Sequence, residues 1–297
     1  MSLIEKIPNI PQEILTSIKN ENLCFFIGAG LSMLVGCPSW KELSDNIVDL
    51  CSSFDLITDQ ENHGLKKENN LKRVITKCYK VLEKDKKLNE YYTLVYHLCQ
   101  GDPFKVNSHN AYDELLKFHS LYISTNFDII FARKFLSDRV YYQIEDFNSE
   151  NIYNDALYQI HGSLNNPKSI VLTEPDYIEK YKNEKLIELL KEVFINYTVL
   201  FINYGLGEYE ILDFLFEKIG GTYKHHYTLK PYKIQNYNNL HLDEYYYDAL
   251  NIKLIPYDIG DSNYNQIYDI LTYWNTQIKM EVPFLLNTMK RIDEWVD

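Results

Sequence analysis

Short apolar runs alternate along the chain with segments of helical periodicity, and this alternation restricts the fold more than any other feature. Several runs contain almost no polar residue, which is typical of strands buried on both faces of a parallel sheet. The pattern therefore predicts an α/β fold with a mostly parallel sheet and flanking helices. The expected strands are Leu23–Ile27, Leu121–Ser124, Val140–Gln143, Leu157–Ile160, Ile170–Leu172, Thr198–Ile202, Tyr227–Leu229 and Ile252–Pro256.

The segment between the first two expected strands is long for a Rossmann-like sheet. Residues 28–120 have mostly helical pattern, whereas a plain strand–helix–strand unit needs roughly 30 residues in all. We therefore expect one domain over residues 1–297, with a helical insertion at about 41–118 and a helical tail at about 263–297. Four helices are expected in the insertion. The first follows a Ser39–Glu42 capping box, the second covers Leu71–Leu82, the third covers Leu88–Leu98, and the fourth begins at a Ser108 cap and ends at Phe118.

Charge and cysteine content exclude several classes of protein. The formal net charge is −12, and an acidic chain repels phosphate backbones, so direct nucleic-acid binding is not expected. The five cysteines show no paired C-x-x-C spacing, which argues against a disulfide framework or a zinc site and favours a cytoplasmic location. No apolar run approaches the ~20 residues that a membrane-spanning helix needs, so no membrane contact is expected.

The first expected strand runs directly into a glycine turn, Gly28-Ala29-Gly30. Gly28 permits the tight turn, and Gly30 lets the backbone approach a pyrophosphate that a following helix dipole would hold. Met33 stands where the usual dinucleotide fingerprint has its third glycine. The turn alone is equally consistent with an ordinary connection from a strand to a helix.

A second motif, Ser124-Thr125-Asn126-Phe127-Asp128, follows the strand Leu121–Ser124. Asn126 and Asp128 are two residues apart, so both side chains can point the same way in an extended turn. Ligands of open α/β sheets bind at this edge. Alternatively, Asn126 or Asp128 caps a following helix, Ile129–Phe135.

Two more motifs follow later strands. His161-Gly162 ends the run Leu157–Ile160, and a histidine can accept or donate a proton near neutral pH, although a satisfied loop histidine is the simpler explanation. A second glycine turn, Gly205-Leu206-Gly207, follows Thr198–Ile202. Because the carboxyl ends of parallel strands share one edge, a single cleft can collect all four motifs.

Together these motifs resemble the sirtuin superfamily, and in particular its prokaryotic sirtuin-like branch of toxic anti-phage effectors. The resemblance rests on residues 28–32, 36–40, 124–128, 161–163, 172–177 and 204–208. It implies NAD+ as substrate, no metal, and a catalytic set of Asn126, His161 and Asp128. The NAD+-binding residues that it implies are Gly28, Ala29, Gly30, Ser32, Pro38, Trp40, Thr125, Tyr204, Gly205, Gly207 and Glu208.

The resemblance also implies a role for each catalytic residue. Asn126 would hold the nicotinamide ribose and the attacking water, Asp128 would bind the nicotinamide carboxamide, and His161 would act as base. The implied activity is hydrolysis of NAD+ to ADP-ribose and nicotinamide, which stops infection by depleting NAD+. The implied control is assembly into a homo-oligomer or with a separate activating or inhibiting defence protein.

Two other functions remain open at this point. The first is an NAD+-dependent deacylase or ADP-ribosyltransferase, against which stand the missing zinc module, since no cysteine follows Cys99, and Ser39-Trp40-Lys41 in place of the family's Asp-Phe-Arg. The second is a non-catalytic sensor of NAD+ or ADP-ribose. The presence of both Asn126 and His161 argues against pure binding, which does not require that pair.

Overall fold

A seven-stranded sheet forms the centre of the molecule, and each neighbouring pair of strands is parallel. The computed structural model describes residues 4–149, 152–205, 211, 225–233, 239–260 and 265–293. The strands are β1 Leu23–Ile27, β2 Leu121–Ser124, β3 Val140–Tyr141, β4 Leu157–Gln159, β5 Thr198–Ile202, β6 His226–Tyr232 and β7 Ile252–Asp258. Their spatial order is β3-β4-β2-β1-β5-β6-β7, which confirms the expected α/β, Rossmann-like fold.

Helices flank the sheet and fill the long segment between β1 and β2. The helices are α1 Gln12–Lys19, α2 Ala29–Leu34, α3 Trp40–Ser53, α4 Asp59–Lys67, α5 Leu71–Lys84, α6 Leu88–Leu98, α7 Pro103–Asn107, α8 Ala111–Leu116, α9 Glu174–Tyr181, α10 Glu184–Asn196, α11 Leu240–Ala249 and α12 Gln266–Asp293. Helices α2 to α8 all lie between β1 and β2. Within the described ranges, no helix combines the length and the apolar character that crossing a membrane requires.

The order of the strands places a crevice at one edge of the sheet. β1 pairs with β2 on one side and with β5 on the other. Its last residue, Ile27, is in register with Ser124 of β2 and Ile202 of β5, so these three strands end at the same level. After β1 the chain moves to one side, and with β5 it returns to the other. Such a reversal is where open α/β sheets bind their ligands.

Both faces of the sheet are buried. In β1, Phe25 and Ile27 belong to the apolar core on one face, while Cys24 and Phe26 belong to the core on the other. This alternation is the two-residue period of a strand, and burial on both faces explains why the run contains no polar residue.

A third apolar core lies within the helices that follow β1. Ile47 of α3, Ile75 of α5 and Val95 of α6 are fully buried in it, and Phe127 from the loop after β2 packs against them. We call α3 to α6 the helical module. Because Phe127 is part of the module's core, apolar contacts hold the module over the carboxyl edge of the sheet.

The Ser39–Glu42 capping box is confirmed. The Glu42 amide donates to Ser39 Oγ at 3.2 Å, and the Ser39 amide donates to Glu42 Oε2 at 2.7 Å. The first four amides of a helix have no backbone acceptor within it, and these two side chains supply acceptors for two of the four. The first helix of the module therefore begins where the local sequence specifies.

Two expectations about local structure are wrong. Ile170–Leu172 is not a strand: Ile170 and Leu172 are buried in the core of the helical module, while the Val171 amide donates to His161 O at 3.0 Å. Ser108 does not cap the next helix, because it follows α7 and Asn110 caps α8 instead. An apolar run indicates that a segment is buried, but not which elements cover it. Helices cover Ile170–Leu172.

Candidate active site

Loops that follow three neighbouring strands meet at the carboxyl edge of the sheet. Asn126, after β2, donates from Nδ2 to Gly28 O, after β1, at 2.9 Å. The Gly30 amide donates to Asn203 O, after β5, at 3.2 Å. These bonds cross-link the three loops, so the predicted motifs after β1 and β2 lie side by side, next to the first residue that follows β5.

Close backbone packing explains the two glycines of the first loop. A Cβ on Gly28 would lie 2.5 Å from Asn203 O, and a Cβ on Gly30 would lie 3.0 Å from Asn203 Cβ. Any side chain at Gly28 would collide with backbone. The sequence suggested that Gly30 leaves space for a pyrophosphate, but its nearest neighbour here is the β5 loop.

Three neighbouring cavities lie along this edge. The inner cavity, of about 40 Å³, is lined among others by the predicted residues Ala29, Ser32, Pro38, Trp40, Thr125, Asn126 and Asp128. The middle cavity, of about 430 Å³, shares Ala29, Trp40 and Thr125 with the inner one and adds Gly30, Tyr204 and Gly205. The outer cavity, of about 520 Å³, shares Gly30, Tyr204 and Gly205 with the middle one and extends to Thr228 and Lys230. Because neighbouring cavities share lining residues, we call the three together the groove.

Asp128 places a buried carboxylate on the wall of the inner cavity. Only 4% of the residue is exposed, Oδ2 accepts from Ser32 Oγ at 2.6 Å, and Oδ1 accepts from the Ile130 amide at 2.9 Å. Burial raises the pKa of this carboxyl group, while these hydrogen bonds counteract the rise by favouring the charged form. A buried carboxylate beside a cavity favours a cationic ligand.

Two residues that support this loop were not predicted. Gln159, the last residue of β4, donates from Nε2 to Asn126 O at 3.0 Å and to Asp128 O at 2.7 Å. The Tyr112 hydroxyl lies 3.1 Å from Ser32 Oγ and is fully buried. One signal was available for Gln159, because it is a lone amide in an otherwise apolar run.

His161 is completely buried and does not line the three cavities. Its Nε2 lies 2.8 Å from the Tyr181 hydroxyl, and its ring packs edge-on against Tyr177 at a centroid distance of 5.0 Å. Burial lowers its pKa to about 3, with Lys180 and Lys72 adding to the effect. The imidazole is therefore neutral near pH 7, one layer of side chains away from the middle cavity, which Tyr177 lines.

The glycine after His161 is required by the backbone. Gly162 has a φ of +83°, and a Cβ there would lie 2.0 Å from Ser169 O. Only glycine fits a left-handed conformation with a carbonyl so close. The His161-Gly162 motif therefore fixes where the chain turns beneath α9.

Part of the predicted site is not described by the structure. Gly207 and Glu208 lie outside the described residues. Within the described ranges, no group of three or more His, Cys, Asp or Glu side chains is arranged to hold a metal ion.

Part of this α/β chain matches a known family of domains. Residues 120–255 match the family of SIR2-like domains, a range that contains Asn126, Asp128 and His161 and begins after the Gly28–Gly30 turn. This match and the relatives described next confirm the resemblance that the motifs suggested.

Three curated proteins are similar to this chain. The NAD(+) hydrolase ThsA of Bacillus cereus (strain MSX-D12) is 24% identical over 94% of this chain and 59% of its own length. Defense-associated sirtuin 2 of Bacillus subtilis is 26% identical over 67% of this chain and 19% of its own length. The NAD(+) hydrolase ThsA of Cytobacillus dafuensis is 24% identical over 82% of this chain and 49% of its own length. The chain thus matches less than two thirds of each relative.

Proposed function

We propose that this chain hydrolyses NAD+ to ADP-ribose and nicotinamide, and that it acts as a toxic effector of anti-phage defence. One observation carries the proposal: Asn126 and Asp128 line the same inner cavity at the reversal point of the sheet. The names of the relatives support the substrate and the defence role. The groove matches a dinucleotide in being divided into compartments.

The charge of Asp128 suits the positive charge of the substrate and of the transition state. The nicotinamide ring of NAD+ is cationic, so it leaves as a neutral molecule without a general acid. Bond cleavage at the anomeric carbon creates an oxocarbenium-like centre, and a nearby carboxylate in a water-poor site stabilises that positive charge. The nicotinamide end would therefore enter the inner cavity beside Asp128.

The inner cavity has to widen before it accepts that ring. At about 40 Å³ it has room for a few water molecules only. Trp40 lines both the inner and the middle cavity and is only partly buried. Outward movement of Trp40 would join the two cavities into one binding site.

Asn126 would orient the reacting groups. Its Nδ2 is held by Gly28 O, so its carbonyl oxygen can accept a hydrogen bond from the ribose or from the attacking water. The water oxygen bonds to the anomeric carbon, the carbon–nitrogen bond breaks, and its electron pair neutralises the nicotinamide ring. Holding water and ribose in this geometry is the main contribution expected of the protein.

His161 would accept the proton that the water loses, as the family resemblance implies. Its neutral ring has the capacity to do so, but a pKa of about 3 is far from the value near operating pH that favours a general base. Direct transfer therefore requires Tyr177 to move aside, which would admit solvent to His161 and bring its pKa closer to neutrality.

Control by assembly forms part of the proposal. An unregulated NAD+ hydrolase would deplete the cell that makes it, so we expect a homo-oligomer or a separate activating or inhibiting defence protein to set its activity. Size measurements with and without added NAD+ test the first of these arrangements.

The test is NAD+ consumption by the purified chain, with Asn126→Ala and Asp128→Asn as variants. We expect each substitution to lower kcat by about 100-fold or more, because each removes a group aligned with the reacting bond. Asn89→Ala is the matched control, since Asn89 is exposed on α6. Wild-type rates in both site variants would refute the assignment. Nicotinamide release only in the presence of an acyl-lysine or another acceptor would favour the deacylase or transferase, and binding without turnover would favour the sensor.

A further inference from the structure

Charged residues are distributed along the groove in an order that matches a dinucleotide. Each cavity has one charged side chain among its described lining residues: Asp128 in the inner cavity, Lys72 in the middle cavity and Lys230 in the outer cavity. NAD+ carries a cationic ring at one end and an anionic diphosphate in its middle. Asp128 already accounts for the cationic end, which leaves the function of Lys72 to be explained.

Lys72 belongs to the helical module rather than to the sheet. It is the second residue of α5, and its Nζ lies 3.5 Å from the centroid of the Tyr177 ring. A cation–π contact of this kind holds the ammonium group against the cavity wall instead of in bulk water. The positive end of the α5 dipole adds to the attraction for an anion at the same place.

The lining of the middle cavity also includes an asparagine whose amide has no hydrogen-bond partner within the described part of the chain. Both polar atoms of the Asn203 amide are buried, and neither has a hydrogen-bond partner among the described residues. Asn203 also has a φ of +47°, a left-handed conformation in which asparagine is tolerated. Lys72 and Asn203 both line the middle cavity, and a buried amide without a partner is a group that a polar ligand can satisfy.

We propose that Lys72 recognises the diphosphate of the substrate and so makes the enzyme prefer dinucleotides to nicotinamide nucleosides. This inference rests on the proposed function, since it names the group that selects the substrate of the same site. The diphosphate lies between Lys72 on the helical module and the Gly30 and Asn203 loops on the sheet. Its charge then links the module to the sheet, and the Lys72 ammonium group attracts an anion that the net charge of −12 otherwise repels.

The kinetic test compares two substrates in matched variants. For Lys72→Met we expect kcat/KM for NAD+ to fall about 10- to 100-fold, mainly through KM, as for the loss of one charge-assisted hydrogen bond. The loss for nicotinamide riboside, which has no phosphate, should be much smaller. Lys72→Arg should restore most of the rate with NAD+, because it keeps the charge and the stacking on Tyr177. Lys77→Met is the control, since Lys77 is exposed on the same helix and pairs with Glu68.

A binding measurement separates this inference from the proposed function. Calorimetry of wild type and Lys72→Met with ADP-ribose and with adenosine requires no turnover. Weaker binding of ADP-ribose alone supports the role of Lys72, even if the wild-type chain releases no nicotinamide and the proposed hydrolysis fails. Unchanged affinity for ADP-ribose would overturn the inference. An equal loss for both ligands would overturn it too, because the effect would then concern the shape of the cavity rather than the diphosphate.

Discussion

His161 should make the folded protein sensitive to mild acid. The folded chain lowers the pKa of this histidine from 6.5 to about 3 because the ring is completely buried. Unfolding exposes the ring and restores the ordinary value. Below about pH 6.5 the unfolded chain therefore binds a proton that the folded chain does not, and the free energy of unfolding decreases as the pH falls.

The expected magnitude follows from the two pKa values. Each pH unit between them corresponds to about 1.4 kcal/mol of free energy. At pH 5, roughly 1.5 units below the unfolded value, His161 should have removed about 2 kcal/mol of stability. The full effect, about 5 kcal/mol, is reached only once the pH falls below about 3. Even 2 kcal/mol is a large part of the marginal stability of a typical domain.

Urea denaturation at pH 7 and pH 5, followed by circular dichroism, measures this effect. We expect His161→Gln to be less stable than wild type at pH 7, because the new amide fits the site less well, but to lose about 2 kcal/mol less than wild type between the two pH values. His63→Gln, an exposed position on α4, should behave like wild type at both. If the His161→Gln and wild-type curves were displaced by the same amount at pH 7 and pH 5, the assignment of a buried neutral imidazole would be refuted.

Three further substitutions test the support of the site. Gln159→Leu removes the donor to Asn126 O and Asp128 O, so kcat should fall about 10-fold with little change in KM, as initial rates will show. Gly162→Ala places a Cβ 2.0 Å from a carbonyl oxygen and should destabilise the fold by about 3 kcal/mol or more in urea denaturation. Ser32→Ala removes a hydrogen bond that lowers the pKa of Asp128, so the acid limb of the kcat/KM profile should move to higher pH. Unchanged values for any of these variants would contradict the corresponding role.

Local sequence was sufficient for most of the sheet. β1, β2 and β5 begin and end at the predicted residues, because each is an apolar run bounded by glycine or polar residues. Ile170–Leu172 has the same composition but packs under helices. The composition of such a run indicates that it is buried. Whether it joins the sheet or packs under helices depends on contacts with residues that are distant in sequence.

The site shows the same division between local and distant effects. Asn126 and Asp128 could be expected to share an edge with the first glycine turn, because the carboxyl ends of parallel strands are adjacent. The burial of His161 could not be predicted, since it depends on how α9 places Tyr177 and Tyr181 over the ring. Nor does the local sequence indicate Lys72, because its position over the groove follows from the docking of the helical module.

The most direct test of the proposed hydrolysis is to let the purified chain act on NAD+ in water labelled with oxygen-18. The account predicts equal amounts of nicotinamide and ADP-ribose, with one labelled oxygen on the anomeric carbon of the ribose, because water is the nucleophile. Both products should be lost in Asn126→Ala. Unlabelled ADP-ribose, nicotinamide release that depends on an added acceptor, or no release at all would contradict the claim that this site hydrolyses NAD+.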